Sequence, residues 1–132
     1  MIVIWLPITS LVAGIFAVLM VVLSAQVSMR RAQVGVVFGD ANDDVLRRRI
    51  RAHGNFIEYA PAALIVLGLV ELGGAGSMLV RTLAAGFVAS RVLHALGMLY
   101  TSTSTVRATG MLLNHAGFLV AGAWLIRKAV SG

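Results

Sequence analysis

Residues 44–73 read DVLRRRIRAHGNFIEYAPAALIVLGLVELG, and no other stretch constrains the architecture as strongly. Its first part is crowded with arginine, whereas the part from Phe56 to Leu72 is almost wholly apolar. A run of this length approaches the roughly 20 apolar residues with which a helix crosses a bilayer. The stretch therefore predicts a helix that starts in a polar region and enters a membrane near Phe56.

Three further apolar runs of similar length flank it, namely Ile2–Val27, Met78–Tyr100 and Val106–Ile126. The chain is 59% hydrophobic and 12% charged, whereas a soluble domain carries about 25% charged residues. These values predict an all-α integral membrane protein. We expect a four-helix bundle in one domain, residues 1–132, with helices at about 3–28, 44–73, 77–100 and 106–128.

The net charge of +6 could indicate nucleic-acid binding, but its distribution argues against this. Six of the eleven basic residues lie in or beside the first connection: Arg30, Arg31, Arg47, Arg48, Arg49 and Arg51. Such clustering is typical of cytoplasmic loops. With Arg107 near the third connection, it predicts loops 1 and 3 in the cytoplasm and both termini on the opposite side.

Helical spacing sorts the polar residues of the second helix. Arg47, Arg51, Asn55 and Glu58 follow one stripe, while His53 and Tyr59 are expected to point elsewhere. Polar groups inside a membrane are costly and often functional. The stripe would suit a small zwitterionic or anionic ligand. Alternatively, Glu58 joins helices by pairing with Arg91, and the residues alone leave both interpretations open.

Two other segments carry candidate residues. Arg91 and His94 share a face of the third helix, where His94 is either a packing residue or a base. Arg107 opens the fourth helix and either extends harmlessly to the interface or stabilises a thiolate. The chain has no cysteine, so any thiol must belong to a ligand. The three histidines stand on separate segments, and no metal site is predicted.

Three motifs in order resemble the MAPEG family, the membrane-associated proteins in eicosanoid and glutathione metabolism. They are RAHGNFIEYAP (51–61), RVLHALGM (91–98) and VRATG (106–110). The resemblance implies a homotrimer in a bacterial inner membrane, with glutathione bound between subunits near the cytoplasmic face. It also implies a lipophilic small molecule as the second substrate.

The resemblance further implies roles for individual residues. The family's glutathione-binding residues of the second helix match Arg51, Asn55 and Glu58, and those of the third match Arg91 and His94. Its thiolate-stabilising arginine matches Arg107. Arg30 lies near a family arginine late in the first helix, and Arg47 joins the stripe. Three positions depart from several eukaryotic members, at Gly54, Met98 and Ala108, so the matching residues support binding more firmly than catalysis.

Three functions follow from this sequence. The leading one is a glutathione transferase, with peroxidase activity as a further possibility. The second is a glutathione- or lipid-binding membrane protein without turnover. The third, a small multidrug exporter, requires an acidic residue in the first helix. Ile2–Val27 contains none, so this third class is disfavoured.

Overall fold

The described part of the chain forms four helices, as predicted, and each is long and apolar enough to cross a membrane. The computed structural model describes residues 5–101 and 104–131. Within them the helices are α1 (Pro7–Val34), α2 (Asp44–Leu72), α3 (Ser77–Tyr100) and α4 (Thr105–Ser131). Each exceeds the roughly 20 residues needed to span the hydrocarbon core. The protein is therefore an all-α integral membrane protein.

Helix α1 extends further than its hydropathy indicates. The expected start at residue 3 lies outside the described residues, but the expected end near residue 28 falls short of Val34. Gly35 ends the helix in the left-handed conformation, at φ 74°, and its amide donates to the Arg31 carbonyl. Hydropathy marks where a helix leaves the apolar layer, whereas the end of the helix depends on its C-cap.

The connection between α1 and α2 is ordered by aspartates. The Asn42 amide donates to the Asp40 side chain (3.1 Å), and the Asp43 carboxylate accepts from the Leu46 amide (2.6 Å). The latter bond makes Asp43 the N-cap of α2. The turn-forming residues of Gly39–Asp44 predict an N-cap at Asn42 or Asp43, and the structure shows that it is Asp43.

Helices α2 and α3 form the centre, and α1 and α4 pack on opposite sides of them without contacting each other in the described part of the chain. Phe16 meets Phe56 edge-on at 5.4 Å between α1 and α2. Phe87 meets Phe118 at 5.2 Å between α3 and α4. The outer faces of α1 and α4 expose many large apolar side chains. This is expected where a helix face is covered by lipid or by another apolar surface.

The α3–α4 contact is unusually close because small residues line it. A Cβ atom at Gly97 would lie 2.6 Å from the backbone nitrogen of Arg107, and one at Gly110 would lie 2.8 Å from the backbone nitrogen of His94. Glycines allow membrane helices to approach until their backbones touch. This contact fixes the height of Arg107 relative to α3.

Glu71, near the end of α2, caps the start of α1. Its carboxylate accepts from the backbone amides of Ile8 (3.0 Å) and Thr9 (2.8 Å), and from the Thr9 hydroxyl (2.6 Å). The first amides of a helix have no partner within the helix, and a carboxylate also interacts favourably with the helix dipole. The end of α2 is therefore bonded directly to the beginning of α1.

We expect Glu71→Ala to lower the thermal unfolding midpoint in detergent by several degrees, because losing a helix cap costs about 0.5–2 kcal/mol. Tryptophan fluorescence would follow the transition. Glu58→Ala is the matched control, since Glu58 is exposed on the same helix. An unchanged midpoint for Glu71→Ala would contradict the capping role.

Candidate functional site

Three helices converge on one polar cavity of about 310 Å³, here called the three-helix cavity. Its lining residues are Arg51 and Asn55 of α2, His94 and Met98 of α3, and Arg107 of α4. Each pair on α2 and α3 is separated by four residues and so shares a helix face. The structure thus brings together four of the residues predicted from sequence, Arg51, Asn55, His94 and Arg107.

Arg107 is held at the cavity by the close α3–α4 packing. It lies in the first turn of α4, opposite Gly97, where no larger residue would fit without moving the backbone. Its Nη1 lies 3.6 Å from the Met98 sulfur. A thioether is only a weak acceptor, and the Arg107 side chain is exposed. Most of its donors can therefore reach a ligand.

Arg91 lies behind the cavity and is 2% exposed. Its Nη1 donates to Asn55 Oδ1 (2.8 Å) and its Nε to Ser90 Oγ (3.3 Å). Its Nη2 lies 3.7 Å from the Met111 sulfur. Because the Asn55 oxygen is occupied, the Asn55 amide offers N–H donors to the cavity. Arg91 thus acts on the cavity through Asn55.

The arginine stands over an aromatic ring instead of pairing with a carboxylate. The Arg91 Cζ atom lies 5.0 Å from the centre of the Tyr59 ring, which is within cation–π range. Glu58 is exposed and takes part in none of the ion pairs among residues 5–101 and 104–131. The interpretation that Glu58 joins the helices by pairing with Arg91 was wrong. The expectation that Tyr59 points away from the polar stripe of α2 was also wrong, because its ring contacts Arg91.

The structure places Arg30 near the end of α1 and Arg47 in the first turn of α2, beside the first connection and not at the cavity. Arg30 donates to both oxygens of Asp43, at 3.0 and 2.7 Å. Arg47 donates to Asp40 (3.0 Å) and Asp44 (2.7 Å). The Arg30 guanidinium, together with the Leu46 amide, lowers the pKa of the Asp43 carboxyl to about 2.

This pKa gives a pH dependence with a definite sign. A carboxyl whose pKa is lower in the folded state stabilises the fold above about pH 4, and this contribution is lost as the pH falls toward 2. We expect wild type to unfold at a higher temperature than Asp43→Asn at pH 5, and the two midpoints to converge near pH 2. Thermal unfolding followed by circular dichroism at each pH would measure these midpoints. Asp44→Asn is the control, and parallel curves for wild type and Asp43→Asn would refute the assignment.

Sequence reasoning missed the support behind Asn55. Tyr59 follows Asn55 by four residues, and this spacing alone would have placed both on one face. Ser90 Oγ donates to the Phe87 carbonyl (2.7 Å) and lies 3.4 Å from Asn114 Oδ1. No sequence signal identifies the contact between Ser90 and Asn114, because it depends on how α3 and α4 pack against each other.

The electrostatics of the cavity favour an anion. Two guanidinium groups line it and a third lies behind Asn55, whereas no carboxylate is among its described lining residues. The volume lies near the lower end of the roughly 300–1,000 Å³ found for small-molecule sites. The arrangement can bind a small, multiply charged anion and stabilise negative charge that develops near Arg107.

These features define a class, an integral membrane protein of four spanning helices with an arginine-rich polar site near one end. The model of the MAPEG family matches residues 9–127, and the chain belongs to this family. It is similar to the inner membrane protein YecN of Escherichia coli strain K12, with 32% identity over 90 residues. That alignment covers 68% of this chain and 69% of YecN.

The same protein in Escherichia coli O6:H1 strain CFT073 matches equally, at 32% identity over 90 residues. No solved structure gives a significant match to this chain.

Proposed function

We propose that this protein is a glutathione transferase of the bacterial inner membrane, with peroxidase activity as an accessory reaction. The observation that carries the proposal is the convergence of Arg51, Asn55, His94 and Arg107 from three helices on one cavity. The MAPEG family includes glutathione-using members, and the relatives named above are inner membrane proteins.

Glutathione suits the charge of the three-helix cavity. It carries two carboxylates and a thiol that can ionise, against a single ammonium group. Arg51 can bind a carboxylate bidentately, and Asn55, oriented by Arg91, can donate to a second polar group. Arg107 would then face the sulfur.

The chemical step rests on Arg107. A nearby positive charge lowers the pKa of a thiol, so more of the bound glutathione is thiolate at neutral pH. The thiol proton passes to water at the exposed mouth of the cavity. The sulfur electron pair then forms an S–C bond to a lipophilic electrophile from the bilayer, and the leaving group departs with the displaced electron pair.

The predicted glutathione-binding residues that lie outside the cavity are consistent with an oligomer. Glu58 and Arg47 are exposed and Arg30 is partly exposed. In the homotrimer that the family resemblance implies, glutathione lies between subunits. A neighbouring copy would then supply these three side chains, with Glu58 facing the ligand's ammonium group.

The orientation in the membrane follows from the two ends of the bundle. Arg48 Nη1 donates to the Thr101 carbonyl at 3.2 Å, which puts the first and third connections at the same end. Most of the basic residues lie at this end. By the positive-inside rule this end faces the cytoplasm, where glutathione is found, and both termini face the other side.

One observation favours a second function. Met98 lies beside Arg107, where eukaryotic relatives have a tyrosine, and a thioether offers no hydroxyl to the sulfur of glutathione. A protein that binds glutathione or a lipid at this cavity without turnover would show the same binding residues.

A glutathione titration of detergent-purified protein would decide between them. We expect calorimetric binding together with ultraviolet thiolate absorbance, followed by conjugation of lipophilic electrophiles such as chlorodinitrobenzene. Binding without thiolate absorbance or conjugation would support the non-catalytic function. Absence of glutathione binding would overturn the transferase and the glutathione-binding function, and would leave a lipid as the ligand of this cavity.

A further inference from the structure

A second cavity, of about 410 Å³, lies at the same end of the bundle and is here called the interfacial pocket. It is bounded by α1, the start of α2 and the end of α3. Its lining residues are Gln26, Asp44, Val45, Arg48, Arg49, Leu99 and Tyr100. Among the described residues it shares no lining residue with the three-helix cavity, which is bounded by α4 instead of α1. The two are therefore separate sites on the molecule.

Two arginines of α2 are fixed in the wall of the interfacial pocket. Arg48 Nη1 donates to the Thr101 carbonyl at 3.2 Å, and Arg49 Nη1 donates to the Gln26 carbonyl at 2.9 Å. Each guanidinium has five N–H donors, so most of them are left for a ligand. Neither arginine forms an ion pair with a carboxylate in the described part of the chain.

Asp44 carries the one carboxylate among the described lining residues, and it does not neutralise Arg48 and Arg49. Asp44 accepts from Arg47 Nη1 at 2.7 Å, and the Asp44 side chain is 84% exposed. The N-terminus of α2 is also occupied, because Asp43 accepts from the Leu46 amide. The positive character of the pocket thus comes from Arg48 and Arg49, two side chains held by backbone carbonyls of different segments.

The remaining walls are those of a site at the membrane surface. Leu99 and Val45 are apolar, and Tyr100 is exposed at the end of α3. Tyrosine is enriched where headgroups meet the apolar layer, and basic pockets between membrane helices bind lipid headgroups. Polar donors and apolar walls at one depth match an amphiphile better than a fully hydrated ion.

We propose that the interfacial pocket binds a phosphate group, with the phosphodiester of an anionic phospholipid such as phosphatidylglycerol as its source. The planar guanidinium groups of Arg48 and Arg49 match the geometry of phosphate oxygens. Leu99 and Val45 contact the first part of the acyl chains. Because its two arginines reach α1 and the end of α3, a bound phosphate links three segments. The site does not depend on the proposed glutathione chemistry.

The test is a lipid titration of the full-length protein in detergent, with the thermal midpoint as the readout. Phosphatidylglycerol is compared with diacylglycerol, which has the same chains without phosphate, and with inorganic phosphate. The variant is R48Q/R49Q. Its matched control is R127Q/K128Q, which removes the same charge from exposed positions near the end of α4.

We expect phosphatidylglycerol, but not diacylglycerol, to raise the midpoint of wild type and of the control. The apparent Kd for phosphatidylglycerol should rise by roughly tenfold or more in R48Q/R49Q, because charge-assisted bonds to phosphate are lost. Stabilisation by inorganic phosphate that R48Q/R49Q abolishes would also support the phosphate site, with free phosphate as the source.

The proposal is overturned if R48Q/R49Q binds phosphatidylglycerol as tightly as wild type, or if R127Q/K128Q loses as much affinity. It is also overturned if diacylglycerol stabilises wild type equally. Should the double variant not fold, R48Q and R49Q are measured singly, since each retains the other arginine's backbone contact. Unchanged affinity in both single variants overturns the proposal too.

Discussion

Arg107→Leu should reduce the rate of glutathione conjugation by roughly 100-fold or more, while the affinity for glutathione changes much less. Removing one group that stabilises developing negative charge typically has an effect of this size. In the three-helix cavity, α4 supplies one exposed cation, Arg107, which lies beside Met98. The measurement is single-turnover conjugation, with ultraviolet thiolate absorbance followed in parallel.

Two further variants make the interpretation specific. Arg127→Leu removes an exposed arginine near the other end of the same helix and should conjugate at the wild-type rate. Arg107→Lys keeps the positive charge and should retain part of the thiolate signal. Full conjugation by Arg107→Leu, in a wild type that is active, would exclude Arg107 as the activating residue.

The second large effect is expected at Gly110. A Cβ atom there would lie 2.8 Å from both the His94 nitrogen and the Ser90 carbonyl oxygen, which are backbone atoms that cannot rotate away. Gly110→Ala must therefore push α4 from α3. Overpacking of this kind costs about 1–3 kcal/mol. We expect a clearly lower thermal midpoint and, because Arg107 lies one turn earlier, weaker glutathione binding.

Gly122→Ala is the matched control for Gly110→Ala. Gly122 lies on the same helix, and a Cβ atom there would meet no atom within 4 Å. Alanine favours a helix over glycine by about 1 kcal/mol, so this variant should be as stable as wild type or slightly more stable. Equal midpoints for the two variants would show that α3 and α4 are not in backbone contact at Gly110.

The number and type of elements could be predicted because hydropathy reports directly on membrane spans. The ends were harder, as α1 illustrates. Its apolar run stops near Val27, but the helix continues through Arg30 and Arg31 to the cap at Gly35. A long arginine side chain can reach water from within a helix, so the charge pattern did not mark the end of this one.

The candidate site was predictable where it depended on spacing within one helix. Arg51 and Asn55 were placed on one face by their four-residue separation, and both line the cavity. The partner of Arg91 was not predictable in this way. The sequence offers Glu58 as its counterion. In the structure the Arg91 guanidinium instead contacts Asn55, Ser90 and the face of the Tyr59 ring. Helical periodicity does not say how two helices are rotated against each other.

The bond between Glu71 and the start of α1 has a consequence for how the chain is made. The amide of Ile8 and its acceptor are separated by 63 residues, so the start of α1 is synthesised well before Glu71. Until then the first amides of α1 lack this protein acceptor. The earliest stage at which α1 can be completed is thus a two-helix hairpin, and a truncated product that stops before Glu71 would expose an unfinished helix end to the insertion machinery.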